Sequence, residues 1–187
     1  MLACSFCESQ ATKSTKALKT LFSEAEIWLQ NNFGLTFIDK YSVLAVYPQD
    51  INPSFNPRQK QRSLGLCEVT FKIQNKQKSI SKILIKVEID MPLFKTKNVI
   101  LHELTHFWQQ SNFDHFDKMK IEFIEGQAEY VAWLHDRSQQ LEGVVSRRLQ
   151  DKSYPYGTGF QKFKQLEIPP TKLFNKKYMQ KVHAKYF

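Results

Sequence analysis

The stretch Val99-Ile100-Leu101-His102-Glu103-Leu104-Thr105-His106-Phe107-Trp108 decides how the chain is read. On a helix, at 100° per residue, positions 102 and 106 lie about 40° apart around the axis and roughly 6 Å along it. Two imidazoles so placed can reach one tetrahedral metal ion at about 2.0–2.1 Å each. Glu103 is turned about 100° further round. Its carboxylate is then set beside a water in an open metal position instead of on the metal. Every other position from Val99 to Trp108 is uncharged, as on a helix whose metal face is buried.

Two histidines supply half a site. After eighteen intervening residues His106 is followed by Glu125, within Phe123-Ile124-Glu125-Gly126-Gln127-Ala128-Glu129-Tyr130. This segment reads as a second helix, with Ile121, Ile124, Ala128, Val131 and Ala132 on a stripe at spacings of three and four. Two histidines and one glutamate leave a fourth position for water, which is how catalytic zinc sites are built; structural sites close all four. Glu129 lies one turn past Glu125 and points the same way. It reads as an outer acceptor for an imidazole N–H, that of His102, fixing tautomer and ring orientation.

Residue by residue, this constellation resembles the gluzincin metallopeptidases. The resemblance implies that His102, His106 and Glu125 bind a single Zn2+ and that Glu103 is the catalytic base. The Glu-Gly-x-Ala context is similar to the zinc helix of the large zinc aminopeptidases. Their upstream Gly-x-Met-Glu-Asn stretch, which holds a substrate amino terminus, is absent here. A closer overall likeness is to the peptidase domain that follows the LIM domain in plant ubiquitin-activated, growth-limiting peptidases, and to its stand-alone microbial relatives. Gly65-Leu66-Cys67, the HELTH helix, the Glu-Gly helix and Tyr156-Gly157-Thr158-Gly159-Phe160 look similar in order and spacing, over roughly Ser63 to Phe160. In the gluzincins a tyrosine or histidine on another element supports the tetrahedral intermediate. Tyr156 is the candidate for that role, ahead of Tyr154 and His115.

A chain of 187 residues fits one domain with small appendages. Hydrophobic content of 42%, 13% of the chain being aromatic, is enough for a core and argues against wholesale disorder. No apolar run approaches the roughly 20 residues of a membrane span. The start Met1-Leu2-Ala3-Cys4 is too short for a secretory signal. Three cysteines, Cys4, Cys7 and Cys67, make a poor disulfide framework and fit a reducing, cytoplasmic compartment. Cys4 and Cys7 have the spacing of half a zinc knuckle, with no second pair to complete it. The net charge of +9 comes from scattered lysines, and no nucleic-acid motif concentrates it.

The periodicity predicts a helix over residues 12 to 33 stopped by Gly34, and a strand from Tyr41 to Tyr47 ended by Pro48. A loop carries Pro53 and Pro57. Two alternating strands follow, Leu66 to Ile73 and Ile83 to Ile89, joined by a loop over Asn75 to Ser79. Pro92 opens the approach to the metal helix. The fold expected is α+β, a small, mostly antiparallel sheet packed on helices, zincin-like in the terms of the resemblance. Residues 1–11 form a cysteine-containing stub, 12–160 the peptidase-like domain and 161–187 a basic helical extension. The strand Ile83 to Ile89, nearest the metal helix, is expected to form the cleft rim and pair with extended substrate. Tyr156 to Phe160 reads as a turn, His115 and His183 as solvated, and His135 as a packing residue.

Together these readings point to a zinc-dependent endopeptidase acting on a protein or peptide substrate. Two alternatives stay open. One is a repressor-cleaving metallopeptidase of mobile elements, whose Phe-Ala and Leu-Leu-Met-Pro region is absent here. The other is a basic nucleic-acid-binding module with structural zinc.

Overall fold

The computed structural model describes residues 15–37, 41–51, 63–74, 77–88 and 90–187. The pair Cys4 and Cys7 and the loop at 52–62 lie outside them. Helix α1, Thr15–Phe33, buries Leu18, Leu21, Phe22, Ala25 and Leu29 along one stripe, the spacing an amphipathic helix needs. It stops at Gly34, whose φ of +66° favours a residue without Cβ. The Gly34 N–H returns to the Gln30 carbonyl at 2.9 Å, closing the helix. After strand β1, Ser42–Val46, Pro48 ends the strand and opens a short helix α2, Pro48–Ile51.

Strands β2, Gly65–Gln74, and β3, Gln77–Glu88, complete a three-stranded mixed sheet in the order β1-β3-β2. β3 pairs parallel with β1 and antiparallel with β2. Ile83, Ile85 and Val87 alternate inward from β3 and are buried, as period-two patterning requires. Two expectations are corrected here. The strand preceding the metal helix is the middle strand, because β1 takes up the side of it that β2 leaves free; β2 is therefore an edge. The connection expected over Asn75 to Ser79 shrinks to two residues, because Lys78 and Ser79 continue the ladder opposite Ile73 and Lys72.

Helix α3, Leu93–Asn112, begins directly after Pro92. A 3-10 turn at Phe116–Lys118 leads to α4, Ile121–Ser138. The two helices run antiparallel, Asn98 meeting Asp136 at one end and Gln109 meeting Ile124 at the other. Ile100, Leu101, Leu104, Phe107, Phe123 and Val131 fill the core between them, α1 and the sheet.

Helix α5, Glu142–Gln150, precedes α6, Tyr156–Leu166. The expected turn at Tyr156 to Phe160 is instead the beginning of α6. Its glycines serve packing: a Cβ on Gly159 would lie 2.2 Å from the Glu122 carbonyl oxygen, and one on Gly126 would lie 2.5 Å from Gly159 C. Backbone touches backbone, which only glycine permits. Helix α7, Lys176–Tyr186, is capped by Asn175, which accepts the Tyr178 N–H at 2.9 Å. Met179 and Val182 of α7 enter the same core as Phe160 and Phe163. His183, expected to be exposed, is half-buried and accepts the Lys120 N–H at 3.1 Å. Among the described residues no helix is long and apolar enough to cross a membrane.

Candidate metal centre

The antiparallel register of α3 and α4 brings three potential ligand atoms to one point. His102 Nε2 and His106 Nε2 are 2.8 Å apart, and Glu125 Oε2 lies 3.1 Å and 3.4 Å from them. Donors at about 2.0–2.1 Å from a tetrahedral ion stand about 3.3 Å from one another, so the cluster has the right size. Among the described residues it is the group of three His, Cys or carboxylate side chains that could hold a metal ion.

Hydrogen bonding behind the three side chains decides which atoms face the cluster. His102 Nδ1 lies 3.1 Å from Glu129 Oε1, and a carboxylate can only accept, so Nδ1 carries the hydrogen. His106 Nδ1 lies 2.8 Å from Gln109 Oε1. That amide is held the right way round. Gln109 Nε2 donates to the Ile124 carbonyl at 2.9 Å and to Gln127 Oε1 at 3.0 Å, and Gln127 Nε2 donates to the Leu173 carbonyl at 2.7 Å. Both rings therefore present bare Nε2 lone pairs to each other and to Glu125, whose Oε2 is buried without a hydrogen-bond partner. Three acceptors facing one another repel unless a cation sits among them. The donor set of two imidazoles and a carboxylate fits a metal ion of the zinc type.

The electrostatics favour positive charge at this point. Burial works against a charged His102, yet the Glu125 and Glu129 carboxylates outweigh it and hold the ring well above its ordinary pKa. Burial would raise Glu125, but its contacts with both imidazoles hold it far below the usual carboxylate range. Glu129 is also held low against burial, by His102 and by Arg148, whose Nη1 donates to its carboxylate. Arg148 is itself anchored by the fully buried Asp136 at 3.6 Å.

Glu103 sits one residue round α3 and is buried. Burial raises its pKa, partly offset by the two histidines. The Cys67 backbone N–H of β2 donates to its carboxylate. Gly65 lies against it, for a Cβ there would be 2.6 Å from Glu103 Oε1. Edge strand β2 thus grips this carboxylate from across the cleft.

Tyr156 stands at the N-terminus of α6 with its ring centroid 6.2 Å from that of His102. Burial, then the Glu125, Glu129 and Glu103 carboxylates, push its phenol up to about 12. Tyr154 is 66% exposed and lines no part of the cleft, and His115 is exposed and also stands away from it. His135 is buried against Trp28, with ring centroids 5.1 Å apart. The cleft over the cluster has a volume of about 1120 Å³, walled by β2, α3, α4 and α5.

Sequence reasoning missed Gln109, Gln127 and Arg148. An uncharged glutamine on a helix carries no pattern of its own, and Arg148 lies nineteen residues beyond the glutamate it contacts. Gln109, at i+3 from His106, is the one a helical wheel could have offered.

A search of curated proteins and one of solved structures return no significant match. A family model described as "BSP: Peptidase of plants and bacteria" matches residues 68–163, just over half of the chain, and that span contains all three potential ligands together with Glu103, Glu129 and Tyr156. The chain belongs to this family of peptidases of plants and bacteria.

Proposed function

We propose that the chain is a zinc-dependent endopeptidase of the gluzincin type, similar in its site to the stand-alone relatives of the plant LIM-domain peptidases. The observation that supports it most directly is the set of three acceptors, His102 Nε2, His106 Nε2 and Glu125 Oε2, turned toward one point while both Nδ1 hydrogens are committed outward. Zinc bound there lowers the pKa of water to near 7 and polarises a peptide carbonyl. Glu103 takes the proton from the attacking water and delivers it to the leaving amine. Its raised pKa suits both halves of that task, since a base is most effective near working pH. Glu129 and Gln109 keep the imidazoles in the ligating tautomer. Tyr156 keeps its proton at neutral pH and donates it in a hydrogen bond to the carbonyl oxygen as negative charge grows there.

The open cleft and the absence from the sequence of the Gly-x-Met-Glu-Asn stretch that holds an amino terminus in the zinc aminopeptidases support internal cleavage. The test is digestion of a denatured proteome by the zinc-loaded protein and by Glu103→Gln, with mass-spectrometric reading of new termini. Wild type should cut within chains and stop on chelation, whereas Glu103→Gln should keep its zinc and lose most activity, since general acid–base catalysis is worth about 10²–10⁴-fold. Identical cut patterns from the two proteins would remove the peptidase reading. His102→Ala and Glu125→Ala should lose the metal itself.

A further inference from the structure

The cleft is not the same at its two ends. Beyond His102 toward the N-terminus of α3, Lys95 and Arg147 line opposite walls, one on α3 and one on α5. Both are exposed. Arg147 Nε donates to the Gly143 carbonyl at 3.2 Å, and neither residue has a carboxylate partner among the described residues. Neighbouring Arg148 is neutralised by Glu129 and Asp136, so this end carries two positive charges without an ion-pair partner; the one further exposed carboxylate in the lining, Asp151, accepts the Ser153 N–H at 2.8 Å. The other end carries no such positive charge. It is walled by Phe116, Ile121 and Ile124, and Ile121 is 43% exposed.

Charge left unpaired inside a concave site attracts the opposite charge and raises its local concentration. We infer that the cleft selects extended peptides with an acidic side chain at the Lys95–Arg147 end and an apolar one at the Phe116–Ile121 end; as a statement about substrates, this rests on the peptidase reading. Distance sets the position of the acid. Lys95 precedes His102 by seven residues, about 10 Å along the helix. An extended chain advances about 3.3 Å per residue, so the acidic residue falls about three positions from the bond at the metal.

The test is peptide affinity measured by fluorescence anisotropy on the zinc-loaded Glu103→Gln protein, which binds without consuming the probe. The probes are ten-residue peptides identical except for Asp, Asn or Lys at the charged position. The Asp peptide should bind roughly tenfold tighter than the Lys peptide at low salt, an advantage that shrinks as salt rises. Lys95→Glu combined with Arg147→Glu should reverse the order, with zinc content and Tm as controls for folding. Equal binding of all three peptides, no binding, or an order unchanged by the charge reversal would overturn the inference. So would displacement of the Asp peptide by a single-stranded oligonucleotide of far higher affinity. Failure of the peptidase reading looks different: Asp peptides would bind as expected and remain uncut by the wild-type protein.

Discussion

Substituting Gly65 by alanine tests whether strand β2 sets the position of the Glu103 carboxylate, the proposed base. A Cβ at this position falls 2.6 Å from Glu103 Oε1, 2.6 Å from Val99 Cγ1 and 2.8 Å from Glu103 Cγ. Non-bonded carbon atoms rest at about 3.5–4.0 Å, so a gap of about 1 Å has to open. Val99 yields little, because a β-branched residue on a helix has one favoured rotamer. β2 yields little, because Gly65 is paired with Val87 in the ladder. The displacement therefore falls on Glu103, which also loses its alignment with the Cys67 N–H.

Misplacing a reacting group by 1 Å costs on the order of 10²-fold in rate, equivalent to about 2.7 kcal/mol of activation free energy. The atoms nearest that Cβ belong to Glu103 and Val99, not to His102, His106 or Glu125, so zinc affinity should not change. The measurement is kcat and KM on a peptide found in the proteome digest, with zinc content taken on the same preparation. The expected pattern is a fall in kcat with KM nearly unchanged, as when an interaction made only in the transition state is removed. Activity within about twofold of wild type, or loss of zinc along with activity, would refute the claim that β2 holds the base.

Gln127→Leu cuts the relay from the Leu173 carbonyl to His106, leaving the Ile124 carbonyl alone to orient the Gln109 amide; zinc affinity should fall toward the lower end of about 10–100-fold. Competition against a chromophoric chelator reads this directly, and an unchanged affinity would show that the relay does not matter. Gly126→Ala drives a Cβ into the Gly159 backbone, which cannot give way as a side chain can. Overpacking of this kind costs about 1–3 kcal/mol, and at about 2–4 °C per kcal/mol Tm should fall by several degrees in a thermal melt. A Tm equal to wild type would mean that α4 and α6 part easily. His183 has its pKa lowered by burial and by Lys120, and only its neutral ring can accept the Lys120 N–H. Its contribution to stability is then complete above the unfolded value near 6.5 and is lost as pH falls through the lower folded value. Melts at pH 7.5 and 5 should show a larger drop for wild type than for His183→Gln, and parallel drops would argue that the ring is not buried neutral.

What could be read in advance, and what could not, divides by the range of the interaction. His102, Glu103 and His106 are related by one turn of one helix, and Glu125 and Glu129 by one turn of another; helical geometry places such residues without any knowledge of the fold. The relay Gln109–Gln127–Leu173 and the Glu129–Arg148–Asp136 chain depend on the register between helices, which side-chain packing decides and periodicity does not record. The edge was misassigned for a similar reason. Nearness in sequence made β3 the natural rim, but β1, separated from it by β2, pairs with its other side. The glycines of Tyr156 to Phe160 misled in another way. Read alone they lower helix propensity and suggest a turn, whereas Gly157 and Gly159 are small because the Asp151 and Glu122 carbonyl oxygens press against them. A glycine on a helix can record a neighbour as well as a break. Here the neighbour is α4, and its closeness carries Tyr156 to the metal cluster. The same contact that conceals the helix in the sequence therefore brings the last polar group to the site.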